Sequence, residues 1–221
     1  MKRWFLCYLT LFSCCGLLAQ EQHVPTPSLT ATIEDTFTRK LVDGNVITKQ
    51  TTGRYYRDTV GRTRIERGHI VTINNPTDRT IVVIDTISGT AKRFRRPDQP
   101  PSSSVAQSMS ETTKRKTYRD LGTQVIEGVV TRGAEFSVVI PPGAVGNLGP
   151  LTQTSEVWRS EELGIAVKTV SNDPLNGERV QMYKNIVKGA DIDSSLFVVP
   201  DDIQEVDVVP DAIKGSHNFG N

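Results

Sequence analysis

The chain has 221 residues, 26 basic against 25 acidic, and a formal net charge of +1. That balance argues against nucleic acid as the main partner, which calls for a basic surface excess. Three cysteines are too few for a disulfide-dense scaffold.

Residues 1–19 read as a secretory signal. Met1-Lys2-Arg3 is a basic start, Trp4 to Leu18 carries no charge, and Ala19 is a small residue before Gln20. These are the three parts of an export signal. The apolar run is about 15 residues, short of the ~20 that a membrane-spanning helix needs. A second way to process the segment also exists. Leu11-Phe12-Ser13-Cys14 resembles a bacterial lipobox, in which Cys14 would carry lipid and tether the chain to a membrane. Cys7, Cys14 and Cys15 all lie in this segment. A chain cut after Ala19 therefore has no disulfide, no Cys-ligated metal and no thiol nucleophile. Without Lys2 and Arg3 the 26 basic residues fall to 24 against 25 acidic ones.

Residues 20–29, with Pro25 and Pro27, read as a flexible leader to a β domain over 30–200. Thr30 to Leu41 and Val46 to Asp58 read as a hairpin, because Asp43-Gly44-Asn45 supplies a residue that accepts positive φ. Arg62 to Ile70 alternates with a period of two, which suits one half-exposed strand. Thr80 to Asp85 is β-branched, Ser88-Gly89 turns the chain, and Thr90 to Arg95 returns. A Pro/Ser-rich loop covers 97–117, with a short helix around Val105 to Lys116 as a weaker alternative.

Gly122 to Arg132 reads as the next strand, paired across Gly133 with Glu135 to Ile140. Thr152 to Arg159 contains Trp158, and Leu163 to Asn172 follows. Asp173-Pro174-Leu175-Asn176-Gly177 is a hairpin loop leading to Glu178 to Lys188. Ser194 to Val199 reads as a cap, and 201–221 as a mobile acidic, then Gly- and Asn-rich, tail. About ten strand-like runs with little helix predict a mainly β fold, a single curved antiparallel sheet or half-barrel.

Several stretches resemble a family of uncharacterised exported bacterial proteins. They are Gly53 to Asp58 with Gly61 to Arg64, Leu121 to Val129, Ile140 to Asn147, Glu156 to Leu163, Asp173-Pro174 through Gly177-Glu178, and Asp193 to Pro200. That resemblance implies no activity. The order Glu127-Gly128-Val129, Trp158 on a strand, a hairpin, then Leu196-Phe197 and Pro200 resembles the lipoprotein-carrier (LolA-like) superfold. The resemblance implies a strongly curved sheet whose concave side, lined by helices, holds acyl chains. The helical plug segments of that superfold are not evident in this chain.

No residue pattern points to catalysis, a cofactor or a metal. His69 stands alone in the β domain, and one His with no Cys makes no usual zinc site. Glu161-Glu162 and Asp201-Asp202 are adjacent, so on a strand they face opposite sides. Asp191-Ile192-Asp193-Ser194-Ser195 starts like a calcium loop, but Leu196 stands where the loop needs Gly and Asp202 where it needs Glu. It reads as a turn.

Two features point to binding. Lys92, Arg93, Arg95 and Arg96 lie on one side of the Pro/Ser loop and Lys114, Arg115 and Lys116 on the other. If the loop closes they form one basic patch for an anionic headgroup or acidic partner. The plainer reading is a solvated strand end guarding against edge pairing. Trp158, Tyr55, Tyr56 and Phe136 line an apolar cavity or fill a core.

The leading expectation is an exported, non-enzymatic envelope protein that binds an apolar ligand (lipid or acyl chain) or a partner protein. A structural or assembly module of the envelope is the alternative, and an unrecognised hydrolase the third.

Overall fold

Runs of alternating and β-branched residues, punctuated by turn glycines, fold here almost entirely into strands. The computed structural model describes residues 27–96 and 115–206. Residues 1–19, with Cys14, and Lys114 lie outside them.

The strands are β1 (Leu29–Lys40), β2 (Val46–Arg57), β3 (Thr63–Arg67), β4 (Ile70–Asn75), β5 (Thr80–Asp85) and β6 (Thr90–Arg95). They continue with β7 (Arg115–Ile126), β8 (Val129–Ile140), β9 (Leu151–Ser160), β10 (Ile165–Asp173) and β11 (Gly177–Lys188). A short 3-10 helix (Ser194–Phe197) precedes β12 (Gln204–Val206). All twelve form one open sheet in the order β12-β6-β5-β4-β3-β2-β1-β11-β10-β9-β8-β7. Every pairing is antiparallel except β12 with β6.

The mainly β, curved-sheet expectation holds, and five local expectations are corrected. Arg62 to Ile70 is two strands, because Gly68 takes positive φ and returns the chain as β4. The hairpin expected across Gly133 turns six residues earlier. Glu127 and Gly128 have φ of 51° and 74°, the pair of positive angles of a type I′ turn. Gly133 instead sits inside β8, where an added Cβ would lie 2.6 Å from the Trp158 ring. At the N-terminal boundary, Leu29 is fully buried and Ser28 Oγ donates to the Ala190 carbonyl at 2.8 Å, so the domain begins before residue 30. At the other, the sheet runs on past 200 into β12, and residues 115–117 of the expected Pro/Ser loop belong to β7.

Adjacent residues on a strand point to opposite faces, and this sheet buries both. Tyr55 belongs to a core with Leu29, Ala31, Ile33, Ile126, Val129, Trp158, Leu163 and Val167. Its neighbour Tyr56 packs on the other face against Val71, Ile73, Val82, Ile84, Ala91 and Phe197. We refer to these as the first and second cores.

The sheet curls around the first core. Arg57 of β2 donates from Nη1 to the carbonyl of Leu163, in the β9–β10 turn, at 2.6 Å. Strands β1 and β11 lie between β2 and β10. A flat sheet would hold β2 and β10 about 14 Å apart, so this bond requires the first-core face to be concave.

Candidate functional site

The concave face, where the resemblance led us to expect an apolar ligand, holds the protein's own side chains of the first core. Leu29, Leu163 and Val167 are 0 % exposed and Ile33 is 1 %. Trp158 closes over Gly133, and Tyr55 meets Tyr183 edge-to-face with ring centroids 5.3 Å apart. Burial pushes both phenols above the usual tyrosine range.

Polar groups seal this core at both ends. At one, the buried Arg57 guanidinium donates to the Pro27 carbonyl from Nε at 3.3 Å and Nη2 at 2.8 Å, besides its bond to Leu163. At the other, Asp35 of β1 is buried between two arginines. Arg179 of β11 approaches Oδ1 at 3.0 Å and Arg67 of β3 approaches Oδ2 at 3.4 Å. Arg67 has to cross β2 to get there, and it does so over Gly53, where an added Cβ would meet the Glu66 carbonyl at 2.4 Å and Arg67 Cγ at 3.0 Å.

The second core is closed differently, by a strap running from Ile192 to Ile203. Leu196, Phe197 and Val199 lie on β4, β5 and β6, and the Arg62 guanidinium stacks on the Phe197 ring, 4.8 Å from its centroid. Arg64 Nη1 donates to the Leu196 carbonyl at 2.9 Å. Asp193 caps the 3-10 helix by accepting from Ser195 N–H, which gives the calcium-like stretch a structural role.

The structure distributes the candidate residues over different strands and both faces of the sheet. Lys92, Arg93 and Arg95 lie on β6, with Arg96 just beyond it, and Arg115 and Lys116 begin β7, with nine strands between the two groups in an open sheet. Val82 pairs with Arg93 and Val83 with Lys92, so even these two neighbours point to opposite faces. Arg93 is bound to Glu205 of β12. Of the four aromatics, Tyr55 and Trp158 are in the first core, Tyr56 faces the second, and Phe136 is exposed on β8 against Tyr118 of β7. His69 is exposed in the β3–β4 turn, where its carbonyl accepts from Thr86 N–H at 2.9 Å. Glu162 is paired with Lys188 at 2.6 Å.

A surface that sequence reasoning did not single out is the end of the sheet formed by the β1–β2, β10–β11 and β8–β9 turns. These hairpins are neighbours in the strand order, and their turns leave the sheet in the same direction. Each carries an exposed aliphatic side chain at its tip: Val42 (109 %), Leu175 (46 %), and Val145 with Leu148 (54 % and 101 %). Between the first two lies an open depression of about 520 Å³ lined by Lys40, Val42, Asp173, Pro174, Leu175 and Glu178. The available signal was an aliphatic residue within each run of Asp, Asn, Gly and Pro, where turns need only those small and polar residues.

Among the described residues no group of three or more His, Cys, Asp or Glu is placed to hold a metal, and no helix is long and apolar enough to cross a membrane.

No family model and no curated protein matches the chain. Similar solved structures include PNGF-II, at 16 % identity and a TM-score of 0.43 over 82 % of this chain, which spans 32 % of that structure's length. A LolA superfamily protein from Nitrosomonas europaea is 11 % identical, with a TM-score of 0.38 over 79 % of this chain and 91 % of that one. A putative outer membrane lipoprotein-sorting protein domain from Vibrio parahaemolyticus is 11 % identical, with a TM-score of 0.36 over 77 % and 89 %. These neighbours include members of the superfold that the residue order resembles; with TM-scores below 0.5, they carry no ligand or activity over to this chain.

Proposed function

We propose that this chain is an exported, non-enzymatic protein of the cell envelope that works by contact, meeting an apolar ligand or a partner protein on its outer surface. The observation that carries the reading is the filled concave face. Leu29, Ile33, Leu163 and Val167 are buried there, with Ile65, Leu121, Ile165, Tyr183 and Ile186 packed against them, and the Arg57 and Asp35 seals are engaged in structural bonds. A carrier of acyl chains needs a cavity with a largely apolar wall. Cleft chemistry needs convergent polar groups free to act, whereas Arg57 and Asp35 here are engaged in holding the fold. The assembly-module form of the expectation is therefore favoured over the internal carrier.

The test is mass spectrometry of organic extracts from protein purified without detergent. The expected result is no lipid in stoichiometric amount. One lipid per chain would return the concave face to the role of a binding cavity.

A further inference from the structure

We infer that Asn176 is a site of spontaneous covalent modification, where the folded chain converts an asparagine to aspartate and isoaspartate with water as the co-reactant. The inference is independent of the reading of the chain as a contact protein.

Asn176-Gly177 is the one Asn-Gly pair in the sequence. It lies where the β10–β11 turn enters β11, with Asn176 exposed. In the reaction the Gly177 backbone nitrogen gives its proton to a base in solution and bonds to Asn176 Cγ. The Cγ–Nδ2 bond breaks, ammonia leaves, and a five-membered succinimide closes. Water then adds to either ring carbonyl, and the ring opens to aspartate or to isoaspartate. The balance is asparagine plus water to aspartate plus ammonia, with nothing oxidised or reduced.

Ring closure needs the next residue to carry an N–H and to leave its nitrogen open to approach. Glycine has no Cβ to stand in the way. The fold cannot exchange it for another residue, because position 177 has φ of 105° and an added Cβ would lie 2.4 Å from the Thr38 carbonyl oxygen. The other asparagines among the described residues are each worse placed. Asn75 precedes Pro76, which has no N–H. Asn45 and Asn185 precede the β-branched Val46 and Ile186. Asn74 and Asn172 are held within the ladders of β4 and β10. Asn147 precedes Leu148, and its Nδ2 donates to both the Pro141 and Gly149 carbonyls.

The Asn176 side chain is held by one exposed bond, from Nδ2 to Asp173 Oδ2 at 2.6 Å. That bond gives the conversion its consequence. Asp173 Oδ1 accepts from Leu175 N–H at 2.9 Å, so one carboxylate ties the turn together. The Asn176 amide is also the main group that holds the Asp173 carboxyl below the usual carboxylate range. Conversion replaces this donor with a second carboxylate facing the first, and isoaspartate adds a methylene to the backbone of the turn. Both changes loosen the β10–β11 tip.

The experiment incubates the intact protein in mildly alkaline buffer and follows its peptides by mass spectrometry, reading the exchange of NH2 for OH at each asparagine. Asn176 is expected to convert roughly ten-fold faster than any other described asparagine, since only its neighbour lacks a Cβ. Its peptide should split into separate aspartate and isoaspartate peaks, and the rate should fall in mildly acidic buffer. Conversion of another described asparagine ahead of Asn176 overturns the inference. So does an Asn176 that stays intact while the same peptide, cut from the chain, converts. Asn176→Gln, which would have to close a larger ring, is expected to abolish the change at this position. Asn176→Asp reads the consequence: hydrogen exchange at Leu175 N–H is expected to quicken while β1 keeps its protection. Exchange at Leu175 equal to the parent's overturns the loosening of the turn.

Discussion

The two cores lie on opposite faces of one sheet and are closed by different means. The first is closed by the curvature of the sheet itself, with Trp158, Leu163 and Val167 coming over Leu29 and Ile33, and with Arg57 and Asp35 as polar seals. The second is closed by a strap whose only regular element is one 3-10 turn, and which leads into the three-residue strand β12. Tyr55 and Tyr56, side by side on β2, serve one core each. Closure by strands ties a core to the long-range ladder, so it opens only with the fold. Closure by a strap leaves a core that can open locally.

The largest expected effect is on the first core. Trp158→Ala is expected to cost about 3–5 kcal/mol, because the ring is buried over Gly133 and its loss leaves a cavity, and urea unfolding should show a lower midpoint for the whole chain. Phe197→Ala should cost less, about 2–3 kcal/mol, since the strap can lift rather than leave a void. Hydrogen exchange is the sharper measurement: β4, β5 and β6 should lose protection while β1 and β11 keep theirs. Equal loss in both regions would erase the distinction.

Smaller effects test the strap's end. Arg93 and Glu205 are both 46 % exposed, so a double-mutant cycle on this pair is expected to give about 0.2–1 kcal/mol, less at high salt. The smallest effect appears only in alkali. Burial holds the Tyr55 and Tyr183 phenols above their ordinary range. Above about pH 10 the unfolded chain loses protons that the folded chain keeps, so stability is intact below that pH and falls as pH rises through the raised folded values. Tyr55→Phe/Tyr183→Phe should make that alkaline decline shallower, while changes confined to the strap should leave its slope alone.

Much of the fold was legible. Asp43-Gly44-Asn45 and Asp173 to Gly177 announce their turns through residues suited to positive φ or to side-chain capping. Gly68-His69 and Glu127-Gly128 were hidden because each interrupts an alternation that otherwise reads as one strand, and Glu carries no turn signal of its own. Strand β12, Gln-Glu-Val, has no periodicity to find; it exists because β6 offers an edge and the strap delivers it there. The candidate site was less legible still. The basic residues flanking the Pro/Ser loop are close in sequence but far apart in strand order, a separation set by β1 pairing with β11. The aliphatic tips become a single edge only once that pairing aligns their hairpins.

That central pairing also sets a timetable. Residues 29–38 of β1 join residues 178–188 of β11, almost the full length of the described chain away. A polypeptide delivered from its N-terminus has β2 as an early partner for β1, but β11 arrives among the last elements. Closing so long a loop costs entropy before the contacts form, and topologies dominated by such contacts fold slowly. Until β11 docks, Leu29, Ala31 and Ile33 are an uncovered apolar strand beside an open ladder, the kind of precursor that aggregates. A cell that makes this protein must therefore keep the unfinished half-sheet apart from its copies until the penultimate strand arrives.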